Sequence, residues 1–489
     1  MKKTKNNYFL ALLLTLSAIS NSFAAVRLPS IIADHMVLQQ QSKITLWGWA
    51  NPNEKVDISC SWQKNNISVL ADQKGEWKID AQTIKAGGPY TITFKGTSTT
   101  LAVKDVYLGE VWFCSGQSNM EWNVGREKFA DSVIKAANNP LVRMFTVAKF
   151  ASPLLKNNVS GTWEISSPQT VEKFSAVAYH FGVELANKLK IPIGLIHSSW
   201  GGTPAESWVS KTVLESQDNF KPILKRFEES IGRYDTEKAA AGGKEIKNTD
   251  PRTRFNSPSV LYNAMFYPLI NYKIKGVLWY QGEANANRAH QYRDLFPALI
   301  ESWRDEFKTK DLPFYFVQIA PFKTQNPEIR DAQFLTTKTS HHVGMVVTMD
   351  VGDCEDIHPK DKITVGKRLS NIALNNTYGF KEIDYLSPMY KSMKIEKESI
   401  KVLFDTQTAL AAKGDLLGFT IAGEDQIFHP AKAKINGKEV IVSSEQVKKP
   451  VAVRYAWENC ANGNLFNKAS LPASPFRSDS WKWVTEGVN

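Results

Sequence analysis

Several things are missing from this 489-residue sequence, and each absence removes a class of function. The four cysteines, Cys60, Cys114, Cys354 and Cys460, form no Cys-x-x-Cys pair, so neither a zinc ribbon nor a thioredoxin-type redox site is indicated. Positive residues exceed acids by 11, yet they are scattered without a basic block, which argues against a nucleic-acid groove. The diffuse positive field favours an anionic ligand only weakly. Beyond the N-terminus no run is long and apolar enough to span a bilayer, which takes about 20 residues. Internal repeats and low-complexity linkers are also lacking, so the domains are expected to pack tightly.

The N-terminus is of another kind. Lys2, Lys3 and Lys5 precede an apolar run over 9–19, and Ser22-Phe23-Ala24 supplies a small-x-small cleavage pattern. Residues 1–24 therefore read as a cleavable signal peptide, and the mature chain as a periplasmic or secreted protein with no membrane association. Export permits disulfides. The plain expectation is four buried free thiols, with a Cys114–Cys354 neighbourhood as the alternative.

A chain this long exceeds one hydrophobic core, so two or three domains are expected. Over 25–104 short alternating segments (43–49, 56–62, 75–80, 90–94) are separated by turns such as Asn51-Pro52-Asn53, the pattern of a β-sandwich. Near 106 the texture changes. Near-continuous apolar runs at 106–113, 191–196, 276–280, 314–319 and 344–349 read as buried parallel strands. Helical patterns at 174–189 and 292–307 lie between them. The region 105–384 is therefore an α/β unit with crossover helices, carrying a polar helical excursion over about 213–259. Strand patterns return over 385–489 as a second β-domain. Most of the 14 Trp and 25 Phe are expected in cores.

Four short blocks follow the apolar strands. Gly116-Gln117-Ser118-Asn119-Met120 places a serine at a strand end before a helix, where α/β enzymes set a nucleophile and helix N–H groups meet an oxyanion. An ordinary N-cap serine is the plain alternative. Trp200-Gly201-Gly202-Thr203 offers backbone that can approach a ligand, or simply a tight turn. Trp279-Tyr280-Gln281-Gly282-Glu283 brings an amide donor and a carboxylate, or a polar loop. Asp350 to Pro359 contains Asp353, Glu355, Asp356 and His358, a histidine flanked by acids that can orient it; the spacing does not fit an EF-hand. Taken together the blocks make one serine-hydrolase inventory. No Gly-x-Ser-x-Gly elbow surrounds Ser118, which counts against a lipase or peptidase.

These blocks, with Asp356-Ile357-His358-Pro359 as the fourth, resemble those of the sialate O-acetylesterase family, a branch of the SGNH hydrolases. Asp34-His35-Met36-Val37-Leu38-Gln39, Gly418-Phe419-Thr420-Ile421 and Pro475-Phe476-Arg477-Ser478-Asp479 extend the resemblance over nearly the whole mature chain. It implies an SGNH-type, flavodoxin-like three-layer core between the two β-domains, and an esterase acting on 9-O-acetylated sialic acid or sialoglycans without metal or cofactor. By position Ser118 matches the nucleophile and His358 the base. Ser118, Gly201 or Gly202 and Gln281 match the oxyanion hole, and Asn119 and Glu283 substrate contacts. Asp356 matches the triad acid, with Glu355 as rival and a Ser–His dyad as a third arrangement. The same inventory serves an acetylxylan or other polysaccharide esterase; a non-catalytic carbohydrate-binding protein is the reading from another class.

Overall fold

The computed structural model describes residues 26–488; the expected signal peptide lies outside the described residues. At its centre is a sheet built from β1 (Thr100–Gly116), β2 (Val142–Thr146), β3 (Trp163–Ile165), β4 (Ile193–Ser199), β5 (Gly276–Tyr280), β6 (Phe314–Val317) and β7 (Val343–Val346). The spatial order is β7-β6-β5-β1-β4-β2-β3. All neighbours run parallel except β3, which is antiparallel to β2. Parallel strands need long crossovers, and helices supply them: α1 (Ser118–Glu121), α2 (Ala176–Leu189), α3 (Ala289–Glu306), α4 (Glu328–Thr339) and α5 (Lys362–Asn376).

Strand alternation divides the apolar residues between two faces. Trp112, Cys114, Leu278 and Tyr315 share one core with α2 and α5. Val111, Phe113, Ile196, Trp279 and Phe316 share another with α3 and α4. The sheet is covered on both sides, which is why its strands read as continuous apolar runs. The result is the expected three-layer α/β core. Trp112, Trp208, Trp279 and Trp303 are fully buried; truncating such a side chain to alanine costs about 3–5 kcal/mol. Helix α2 is capped at its start by Ser175, whose hydroxyl accepts from Ala178 N, and at its end by Lys190 in the left-handed region.

The flanking regions are rich in strand. Lys43–Trp49 pairs with Glu76–Gln82, and Lys55–Cys60 joins Gly87–Lys95. Gly87–Lys95 in turn pairs with the first half of β1, whose second half is the central strand of the α/β sheet. Residue 104, the expected boundary, thus lies inside one unbroken strand. The excursion contains a long helix, Lys221–Ala240, in which only Ile223 is buried. Beyond residue 385 two four-stranded antiparallel sheets enclose a separate core of Val402, Phe419, Val440, Tyr455 and Phe476.

The thiols depart from the expectation. Cys354 and Cys460 form a disulfide across 106 residues. It joins the loop after β7 to the C-terminal β-region. Cys114 cannot approach Cys354, because it lies inside β1 with its side chain in the α2/α5 core. Cys60 and Cys114 are buried free thiols.

Candidate active site

The sheet order reverses at β1: the chain first fills one side, passing out to β2 and β3 and returning to β4 beside β1, then crosses to β5, β6 and β7 on the other. In open α/β sheets the carboxyl end of such a switch point opens a crevice for ligands. Ser118 sits there, directly after β1. Gly116 makes the turn possible. Its φ is +139° and an added Cβ would fall 2.1 Å from Tyr280 O, so any side chain would strike the neighbouring strand. Gln117 N donates to the same carbonyl at 3.0 Å, locking the turn to β5.

The loops after β4 and β5 flank Ser118, as the adjacency of the three strands requires. The histidine loop does not arrive by adjacency. It leaves β7 at the sheet edge and returns across the rim, held by Asn119 Nδ2 donating to Ile357 O at 3.1 Å and by the disulfide behind it. Ser118 Oγ and His358 Nε2 are then 2.9 Å apart. Asp356 Oδ1 accepts from His358 N at 2.9 Å and lies 3.5 Å from His358 Nδ1. Glu355 faces outward and accepts from Lys323 Nζ at 2.6 Å. Trp122 stacks on the imidazole with ring centroids 5.0 Å apart, and the Arg126 guanidinium covers the Trp122 ring at 3.9 Å.

Several expected roles change. Gly201 packs against Ser118, its added Cβ falling 3.2 Å from Ser118 Cβ. Its N–H, however, donates to Glu121 Oε2 at 2.6 Å, so it is occupied. Gly202 is exposed, with φ +77°. Gln281 is fully buried and gives its amide hydrogens to Asn285 Oδ1 at 2.7 Å and Thr203 O at 3.3 Å. It braces the glycine loop rather than facing Ser118 as a donor. Asn119 and Glu283, expected to meet substrate, are instead buried and bonded to each other at 2.6 Å.

That pair leads to a residue the sequence did not single out. Lys362 Nζ donates to Asn119 Oδ1 at 2.5 Å and lies within 6 Å of the Trp122 and Tyr280 rings. Burial pulls its pKa down to about 7, against the opposing pull of Glu283. Burial pushes the Glu283 carboxyl upward, opposed by Asn119 and Lys362. His358 is lowered by burial first and by Lys362 next, with Asp356 opposing. Lys362, Asn119 and Glu283 form a buried polar chain directly beneath α1. A lysine at the first helical position after the cap Asp361 ordinarily points to solvent, so no local signal marks it.

On the open side, Trp200 stacks on Phe255 at 5.1 Å and 9°. Lys149 bridges Glu121 at 2.5 Å and reaches the Trp200 ring. Aromatic faces of this kind suit sugar rings. Among the described residues no cluster of His, Cys, Asp or Glu is arranged to hold a metal ion, and no helix is long and apolar enough to cross a membrane.

The profile of a family described as carbohydrate esterase, sialic acid-specific acetylesterase, matches residues 108–239 and 237–375, a stretch that contains every block above. The chain is 30% identical to the sialate O-acetylesterase of Rattus norvegicus over 96% of its own length and 97% of that protein. It is 30% identical to the sialate O-acetylesterase of Homo sapiens over 92% of each. A crystal structure of a carbohydrate acetylesterase from Xanthomonas citri superposes with a TM-score of 0.83 at 35% identity, covering 94% of this chain and all of that one. With the matched stretch holding Ser118, Gly201, Gln281 and His358 alike, the chain belongs to the carbohydrate esterase family of sialic acid-specific acetylesterases.

Proposed function

We propose that the protein is a serine O-acetylesterase of sialic acids, with Ser118 as nucleophile, His358 as general base and Asp356 as the acid that orients it. Family membership makes the chain a carboxylic ester hydrolase acting on carbohydrate O-acetyl groups. The serine mechanism rests on one observation, the 2.9 Å approach of His358 Nε2 to Ser118 Oγ at the switch point of the sheet. The sialic acid reading is supported by the family description and the mammalian relatives, and the acetyl group is that on the terminal, 9-position hydroxyl.

In this reading His358 takes the Ser118 proton as Oγ attacks the acetyl carbonyl carbon. The oxyanion meets the first N–H groups of α1, which have no acceptor within the helix. His358 then gives its proton to the departing sugar oxygen. Water, deprotonated by His358, attacks the acetyl-enzyme, releases acetate and restores Ser118. Trp122 holds the imidazole plane by stacking. The reaction takes place outside the cytoplasm, a location that the signal-like N-terminus and the Cys354–Cys460 disulfide both support.

The test is acetate release from 9-O-acetylated sialic acid and, in parallel, from acetylated xylan, by wild type and Ser118→Ala. The expected result is release from the sialic acid, reduced on the order of 10³-fold or more in the variant. Release from xylan alone overturns the substrate. Near-normal turnover by Ser118→Ala overturns the mechanism.

A further inference from the structure

Beside the glycine loop lies a pocket of about 350 Å³ whose charge is not balanced by the protein. Arg226, Arg254 and Arg288 line it, and Glu206 is its one acidic residue. Glu206 serves two guanidinium groups loosely, at 3.3 Å from Arg288 Nη2 and 3.8 Å from Arg226 Nη2. Its other oxygen already accepts from Asn285. Arg226 Nη1 and Arg288 Nε are buried donors that meet no acceptor. Unsatisfied buried N–H groups are costly, and more so on a cation. Two planar guanidinium forks with spare donors match a carboxylate.

The pocket reaches the glycine loop that packs on Ser118. Gly202 lines it and follows Gly201, which packs on Ser118. Ala284 also lines it, and Ala284 N donates to the side chain of Gln117. Gly202 has open space where a Cβ would stand, with only Phe255 at 3.9 Å.

We propose that this arginine pocket binds the carboxylate of an acidic sugar while its O-acetyl group lies at Ser118. The inference rests on the esterase reading above and adds what would set an acidic substrate apart from a neutral polysaccharide. Two sugar classes carry this chemistry, a sialic acid and a uronic acid.

The experiment has two arms. In the first, wild type hydrolyses O-acetylated sialic acid and its carboxyl methyl ester. The acid is expected to have a kcat/KM about tenfold or more above the ester, as loss of a charge-assisted hydrogen bond implies. In Arg288→Gln and Arg226→Gln that ratio falls toward one, and Arg288→Lys restores it only in part. In the second arm, free sialic acid and free glucuronic acid compete with hydrolysis of 4-nitrophenyl acetate. Sialic acid is expected to inhibit competitively, with an inhibition constant raised about tenfold in Arg288→Gln; inhibition by glucuronic acid alone assigns the pocket to uronic acids. If sialate esters are not cleaved yet sialic acid still inhibits through Arg288, the substrate reading fails and the pocket stands. If sialate esters are cleaved with equal kcat/KM for acid and methyl ester, or if the preference is lost only in Arg126→Gln, the pocket proposal is overturned.

Discussion

Asp356 grips His358 at two points with one oxygen: Oδ1 accepts the histidine main-chain N–H at 2.9 Å and stands 3.5 Å from the ring Nδ1. The first contact fixes the backbone of the Asp-Ile-His turn. The second is an ion-pair separation that needs only a small shift to become a hydrogen bond. Glu355, one residue earlier, is turned outward to Lys323.

This arrangement separates the two acids experimentally. Asp356→Asn is expected to lower kcat by about 10²–10⁴-fold, because the imidazole loses both its orientation and its partner charge. Glu355→Gln should stay within about twofold, since an exposed ion pair is worth little. Steady-state kinetics on one acetyl ester decides it. A large loss in Glu355→Gln with a mild one in Asp356→Asn would reverse the assignment.

The buried lysine predicts a pH effect. In the proposed mechanism His358 must be neutral to accept the serine proton. Its pKa is held below the ordinary 6.5 by burial and by Lys362, so kcat/KM is expected to fall on acidification through a value below 6.5. Lys362, with a pKa of about 7, is charged in that range and opposes the imidazolium. Lys362→Met should therefore move the acid limb to higher pH. An unmoved limb would mean that the lysine does not act on His358. Stability carries the same residue's signature. The unfolded chain holds a proton on Lys362 up to its ordinary 10.5 while the folded chain releases it near 7, so this group's contribution to stability rises with pH between those values. The rise should be absent when melts of Lys362→Met are compared with wild type.

The Cys354–Cys460 bond closes a loop spanning 106 residues and anchors the segment that carries Asp356 and His358. Replacing both cysteines with alanine is expected to cost about 2–5 kcal/mol, seen as a lower melting temperature. A lower kcat should accompany it, as the histidine loop loses its outer tether. A melting temperature and kcat equal to wild type would show that the loop is fixed by Asn119 and the sheet alone.

The Ser118–His358 pairing was legible from sequence because each residue sits in a short block at a strand end, and parallel sheets gather such ends on one rim. The three-layer core was legible for a related reason, since strands buried on both faces leave unbroken apolar runs. What escaped depended on contacts between distant segments. Lys362 is buried by Trp122 and Tyr280, from two other elements. Gly201 N–H is occupied by Glu121, which the short helix after Ser118 carries onto the same side. Gln281 turns to Asn285 four residues on, a choice set by the packing of the glycine loop. The partner of Cys354 lies in a turn of the C-terminal β-region, between the strands Ala452–Tyr455 and Leu465–Asn467.

The strand Thr100–Gly116 leaves one sheet as an edge partner of Gly87–Lys95 and enters the next as its central member, ending two residues before Ser118. The N-terminal β-region is consequently not a detachable cassette. A truncation placed at residue 104 cuts through a hydrogen-bonded strut rather than a linker. A chimera that borrows another N-terminal region has to match its pleat and twist as well as its end point. A change in that outer region is therefore carried by continuous backbone to within two residues of Ser118.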